Sequence, residues 1–494
     1  MRINVTVNPL TRIEGHLKME AVVDNGTVVE ARSGATMYRG FEQILRGREP
    51  LDAVQLAQRF CGVCPSAHAV ASSQCLDNAY GIMPPDNGRI LRNLVQGSNY
   101  IQSHVLHFYH LVALDFVKGP DVPPFIPRYE ADYRLSDKAS AAVVDHYLQA
   151  LQMRVKAHEM SAVFSGKMPH SASVVAGGST SAPEIDKITA FLARLSELRA
   201  FIDNVYLDDI VTIAKAYPDY AETGAGCGNL LSYGTFDLDN TRDVTKRRRF
   251  YGMGRYQAGR VEALDPAKIT EDVAHSWYAS PSHLEPSLGE TLPDARKDTG
   301  YSWIKAPRYD NTVYEVGPLA RTMILLTNEP DSAQAKKVTE ALTLLGLKKH
   351  HLFSVLGRHL ARAIETKFLA DAMVDWVLQL KPGEPSCADL PMPESADGFG
   401  LWDGPRGALG HWISIRNNVI DRYQVIAPTT WNSSPRDDQG IPGPVEQALV
   451  GARVPDPNNP FAIARIVRSF DPCLACSVHV VTPKGRLLHK VTAV

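Results

Sequence analysis

The chain has 494 residues, 44% of them apolar and 21% charged, with a formal net charge of -2. That length can bury a large core, and the balanced charge gives no footing for binding nucleic acid. Seven cysteines, an odd count in so long a chain, argue against a disulfide framework.

No apolar run approaches the roughly 20 residues that cross a bilayer. The alternating Met1-Arg2-Ile3-Asn4-Val5-Thr6-Val7 lacks a signal peptide's apolar block, so the chain is expected to carry no export signal of its own.

Residues 1–47 form an N-terminal β segment: an alternating strand, then Leu17–Val23 and Thr27–Ala31 joined by Asp24-Asn25-Gly26. Between them, Asn8 to His16 is too polar and too punctuated for a strand. Residues 48–380 read as a helical bundle core. Ile90, Leu94, Ile101, Val105, Phe108 and Val112 make one long apolar stripe. Ser181-Ala182-Pro183-Glu184 predicts a cap before a second helix, and a third is expected from Asp331-Ser332 to beyond Leu352. Residues 216–330, rich in Gly, Pro, Tyr and Asp, read as an irregular insertion with some strand. Within it, Lys246-Arg247-Arg248-Arg249 suits a solvated loop or an ion-pair cluster. Residues 381–479 open with clustered prolines and end in a short helix, Phe461 to about Ser469, that delivers Asp471-Pro472-Cys473. The fold class expected is mainly α with added β: a long-helix bundle core, an N-terminal β-hairpin or sheet, and an irregular α+β insertion.

Two cysteine pairs stand at opposite ends of the chain, Cys61-Gly62-Val63-Cys64 and Cys473-Leu474-Ala475-Cys476. One such pair suits zinc, an iron–sulfur cluster or a thiol–disulfide couple equally well. Two pairs about 400 residues apart need the whole fold to bring their sulfurs together, which argues for a buried metal centre with thiolate ligands. Both lie at loop–helix junctions, where free N–H groups favour thiolate. Cys75, Cys227 and Cys387 read as isolated thiols, the first two buried. His107 and His110, one helical turn apart, suit packing better than ligation, and His350 and His351 suit the surface.

Around these pairs, Arg59-Phe60-Cys61-Gly62-Val63-Cys64-Pro65-Ser66-Ala67-His68 and Asp471-Pro472-Cys473-Leu474-Ala475-Cys476-Ser477-Val478-His479 resemble the two signature motifs of nickel–iron hydrogenase large subunits. Arg12-Ile13-Glu14-Gly15-His16, Arg39-Gly40-Phe41-Glu42, His107-Phe108-Tyr109-His110, Gly166-Lys167-Met168-Pro169-His170 and Pro405-Arg406-Gly407-Ala408-Leu409-Gly410-His411-Trp412 match further motifs in the family's order. The respiratory uptake branch is the one resembled most.

The resemblance implies that Cys61 and Cys473 are terminal nickel ligands, and that Cys64 and Cys476 bridge nickel to an iron carrying one carbon monoxide and two cyanides. Some relatives have selenium in place of one terminal sulfur; position 473 is plain cysteine here. Four thiolates and two cyanides bring roughly six negative charges against about four positive ones, so cations must stand nearby. Arg406 matches the guanidinium above the metals, with Asp115 and Asp471 expected around it and Pro405 beside it. Pro428 and Thr429 match the segment that holds the cyanides, and His68 is expected to donate to a bridging thiolate. Cleavage of H2 needs a metal to take hydride and a base to take the proton. Cys473 is implied as that base, Arg406 as its rival, and Glu14 as the outward relay.

Glu42, the Val425 carbonyl and His479 resemble a second site for magnesium or a second iron. Too few cysteines remain for an electron relay. The resemblance therefore implies an iron–sulfur small subunit as partner, in a heterodimer or a dimer of heterodimers, with the loop of His170 near it. Residues 480–494 match a tail that a maturation endopeptidase removes after His479 once insertion factors have supplied nickel. Family members commonly reach the periplasmic face of the membrane on the small subunit's export signal, a cytoplasmic site being the alternative. Competing readings are a hydrogen sensor with the same core, a structural four-cysteine zinc scaffold, and a thiol oxidoreductase. Asp403-Gly404 stands where the family has Glu-Ala.

Overall fold

A computed structural model describes residues 2–123 and 125–477 of the chain. Arg2–Val7, Leu17–Asp24 and Thr27–Ala35 pair antiparallel in that order. Asn25 and Gly26, both with positive φ, make the tight connection a twisted hairpin favours. Val5, Met19, Ala21, Val23 and Val28 are buried, so alternation along the strands does mark one inward face.

The core is a helical bundle. The apolar stripe forms Asp86–Leu106 and continues through one π-helical turn, His107–Val112. This helix packs on Asp137–Ser165 and Val355–Leu378, and Asp137–Ser165 packs in turn on Ile185–Phe201. Two boundaries differ from expectation. Ser181 does not cap the helix starting at Ile185; Glu184 holds the cap position without a side-chain bond, and the Ser181 carbonyl instead accepts from Ser386. The helix expected to run past Leu352 ends at Leu344, because Gly346 takes a left-handed φ. A 3-10 turn over Lys349–Leu352 follows before Val355 restarts the chain as a helix. Within that turn His351 is half-buried, its Nδ1 accepting from the Lys348 N–H, so it is less of a surface residue than expected.

In the insertion, Arg260–Glu262, Gly254–Gln257, Leu230–Ser232 and Glu315–Val316 line up as a four-stranded sheet. The basic run is an ion-pair cluster: Arg247 and Arg249 share Asp237, and Arg248 meets Asp239. Cys75 is buried, Cys227 half-buried and Cys387 exposed. Among the described residues no helix is long and apolar enough to cross a membrane.

Sequence reasoning missed the antiparallel sheet Ala396–Gly404, Gly407–Arg416, Val419–Ile426. It lies across the buried helix Pro65–Tyr80, and Pro405-Arg406 is its first hairpin connection. The helix Phe461–Ser469 then returns the chain to that centre.

Candidate metal centre

Cys61 leaves a 3-10 turn in extended conformation, and Cys64 precedes the helix that Pro65 begins. From the other end, Cys473 forms a β-bridge with Glu14 and Cys476 lies in the short turn Leu474–Ser477. The sulfurs of Cys61 and Cys473 are 3.2 Å apart, and those of Cys64 and Cys476 3.1 Å. Cys473 and Cys476 are also 3.1 Å apart, and all four sulfurs are buried and lie within 4.8 Å of one another. These distances far exceed a disulfide's length of about 2.05 Å. They suit four sulfurs around metal.

Burial pushes the Cys473 and Cys476 thiols well up, whereas hydrogen bonds led by Cys473 pull Cys61 down. Such a set ionises fully only when cations replace its protons. The peptide N–H of Val63 donates to Cys61 Sγ at 3.2 Å, and the N–H of Cys473 to Thr429 Oγ1 at 2.9 Å.

Arg406 is buried beside them. Its Nη2 meets Asp471 Oδ1 at 3.0 Å, its Nε donates to the Asp471 carbonyl at 3.0 Å, and its Nη1 to Ser103 Oγ at 3.2 Å. Burial works against the charge, but Asp471 and then the sulfurs of Cys473, Cys64 and Cys61 outweigh it, so the guanidinium stays cationic. Asp115, expected beside this cation, makes no hydrogen bond to it. Arg12 and Arg468 both converge on its Oδ1, the latter at 2.7 Å, so its charge is already engaged.

Glu14 stands against Cys473. Its Oε2 lies 3.3 Å from Cys473 Sγ and accepts from the Ala475 N–H at 2.8 Å. Burial first, and then the charge of Cys61, raise its pKa. His68 differs from expectation: its Nδ1 meets His411 Nε2 at 3.2 Å, while its buried Nε2 has no protein partner and makes no bond to a bridging sulfur. Burial lowers this imidazole to about 4, so it is neutral. His68, Pro405, Arg406, Pro428 and Thr429 line one small cavity with Cys64, Cys473 and Cys476.

The second expected site is described only in part. Glu42 is buried; its Oε1 accepts from the Val425 N–H at 3.1 Å, and the Thr291 hydroxyl donates to its Oε2. Because a strand residue's N–H and C=O point to the same edge, the Val425 carbonyl faces the Glu42 side as well. His479 and the tail, residues 480–494, lie outside the described residues.

A nickel-dependent hydrogenase family model matches residues 39–123 and 118–479, and a HoxL-like model matches residues 4–36. The chain belongs to the nickel-dependent hydrogenases. It is 44% identical to the periplasmic [NiFeSe] hydrogenase large subunit of Desulfomicrobium baculatum, over 97% of this chain and 95% of that one. It is 34% identical to the uptake hydrogenase large subunit of Rhizobium leguminosarum bv. viciae, over 99% and 97%. The Ni-Fe-Se hydrogenase structure from D. vulgaris Hildenborough in the reduced state superposes with a TM-score of 0.93, at 44% identity, over 97% of this chain and all of that one. Within the family this chain is a catalytic large subunit, and its reaction is that of a hydrogenase, the oxidation of H2.

Several residues that shape this hydrogenase centre escaped sequence reasoning. Arg39 was noted only as part of a motif, yet its Nη1 donates to the Phe60 carbonyl at 2.6 Å and the Ala475 carbonyl at 3.3 Å, tying the two cysteine loops together. Lys305 is buried against Glu271 and Gln424, at 3.0 Å from each, beside the Glu42 site. A buried lysine in a Gly- and Pro-rich insertion gives no signal of its own in sequence. Ser103 was legible only as one position on a helix face.

Proposed function

We propose that this subunit oxidises H2 reversibly at a nickel–iron centre that Cys61, Cys64, Cys473 and Cys476 would hold. The observation carrying this reading is the convergence of four buried sulfurs from both ends of the chain within 4.8 Å. When bound, the metal pair supplies the Lewis acidity and redox capacity that split H2 and take up its electrons.

The chain's own residues do the rest. Cys473 Sγ receives the proton, and Glu14, 3.3 Å away with a raised pKa, carries it outward. Arg406 offsets the negative charge of the thiolates, and Asp471 and Ser103 fix its orientation. Pro405, Pro428, Thr429 and His68 line the small cavity that would take one carbon monoxide and two cyanides on iron. Glu42 and the Val425 carbonyl, completed by His479, would hold magnesium or a second iron.

Cys75, Cys227 and Cys387 form no metal-holding group among the described residues, so electrons leave through a partner; an iron–sulfur small subunit, as the name "large subunit" of the relatives suggests, supplies that route. The relative named periplasmic supports a location on that side of the membrane. An endopeptidase would remove residues 480–494 after nickel insertion, and a full-length active chain in intact-mass analysis would contradict that step. The test of the whole reading is infrared spectroscopy with metal analysis on the purified heterodimer. Carbonyl and cyanide stretches with one nickel per chain are expected; stoichiometric zinc without those bands would contradict it.

A further inference from the structure

Arg406 sits at the tip of a hairpin. Gly404 and Gly407 pair as the last rung across the two strands, which leaves the Pro405 carbonyl in the turn beyond the ladder, next to that of Gly404. Buried carbonyls need donors, and one side chain reaches both. Arg321, on the helix Pro318–Asn328, donates from Nη1 to the Gly404 carbonyl at 3.2 Å and from Nη2 to the Pro405 carbonyl at 3.0 Å. The Pro405 carbonyl belongs to the peptide that carries the Arg406 N–H, so fixing that plane fixes the direction in which the Arg406 side chain leaves the backbone.

Arg321 is itself held rigidly. Glu365 binds it at two points, 2.7 and 2.8 Å, and Asp403 Oδ2 binds it at 2.8 Å; all three side chains are fully buried. Asp403 is tied in turn by Ser232 Oγ at 2.9 Å and the Tyr233 N–H at 2.8 Å. Glu365 meets His104 at 3.0 Å, and Tyr100 lies under the guanidinium. The tip also packs closely on Gly317, where an added Cβ would stand 2.9 Å from the Arg406 carbonyl.

We infer that Arg321, gripped between Glu365 and Asp403, is a positioning residue for the hydrogenase reaction: it holds the Gly404–Pro405 peptides so that the Arg406 guanidinium stands over the cysteine sulfurs. Asp403, where the family motif has glutamate, is one jaw of that grip. The inference rests on the role proposed for Arg406.

Arg321→Lys keeps the charge but has no fork to reach two carboxylates and two carbonyls together. In the nickel-loaded heterodimer it is expected to lower kcat about tenfold or more, with KM for H2 little changed, because small misplacement of a charged group near the reacting atoms is costly. The cyanide bands are expected to shift, and Arg406→Lys is expected to move the same bands. Adding Arg321→Lys to Arg406→Lys is expected to cost little more, since both act through one guanidinium. Asp403→Asn, shape-conserving and milder, decides the matter if Arg321→Lys fails to assemble. Unshifted bands at parental kcat per nickel overturn the inference, as do fully additive losses in the double variant. A parent lacking the bands altogether would instead defeat the proposed function.

Discussion

Glu14 Oε2 lies 3.3 Å from Cys473 Sγ and 2.8 Å from the Ala475 N–H, so one carboxylate oxygen touches the Cys473 sulfur and is oriented by the loop carrying it. Its raised pKa suits alternation between acid and base. Glu14→Gln preserves shape and the bond from Ala475 but cannot carry a proton. Nickel content is expected to stay parental while turnover falls about a hundredfold or more. Metal analysis beside H2-dependent dye reduction checks this, and normal turnover would remove Glu14 from the proton route.

Gly15 makes that contact possible. It has a φ of 83°, and an added Cβ would lie 2.6 Å from Leu474 Cβ. Gly15→Ala therefore meets both backbone strain and a clash, together costing about 1–3 kcal/mol locally. The expected result is poorer nickel retention against a chelator, with the bundle's thermal midpoint little changed. Parental nickel retention would show that the loop tolerates separation from Leu474.

Arg406→Lys keeps a cation yet loses the fork that grips Asp471 and Ser103. Turnover is expected to fall at least about tenfold, with KM for H2 nearly unaffected. Asp471→Asn should move kcat in the same direction by less. An effect on KM alone would place Arg406 in gas binding rather than over the metals.

Far from the sulfurs, Glu446 is buried under the N-terminal sheet, where Ser33 N–H and Tyr301 hydroxyl both donate to Oε1. Burial raises its pKa from 4.5 to about 7. The folded chain thus holds a proton that the unfolded chain has released. Its contribution is fully present below about pH 4.5 and is lost as pH rises through about 7, amounting to about 3 kcal/mol. Glu446→Gln is expected to flatten the fall in thermal midpoint across that window. An unchanged slope would mean that Glu446 is ionised in the fold.

The convergence of the four cysteines was legible because soft sulfur in two spaced pairs has few chemical uses, and the first hairpin and the helix Phe461–Ser469 because alternation, stripe and turn residues agree there. The sheet that carries Arg406 was not legible. Ala396–Gly404 is buried along its second half and glycine-rich, so it shows neither alternation nor a helical stripe. The partners of Asp115 were not legible either: Arg12 and Arg468 bond its Oδ1, and one-dimensional spacing cannot tell which arginine folds over a given carboxylate. The break at Gly346 rests on one left-handed residue inside an apolar pattern that otherwise continues.

The most direct measurement is nickel-edge X-ray absorption on the purified, active heterodimer. The account expects a first shell of cysteine sulfurs only and a neighbouring iron, with sulfur ligation reduced when Cys64 is replaced by serine. A nickel shell of nitrogen and oxygen, or active enzyme with no iron beside nickel, would contradict it.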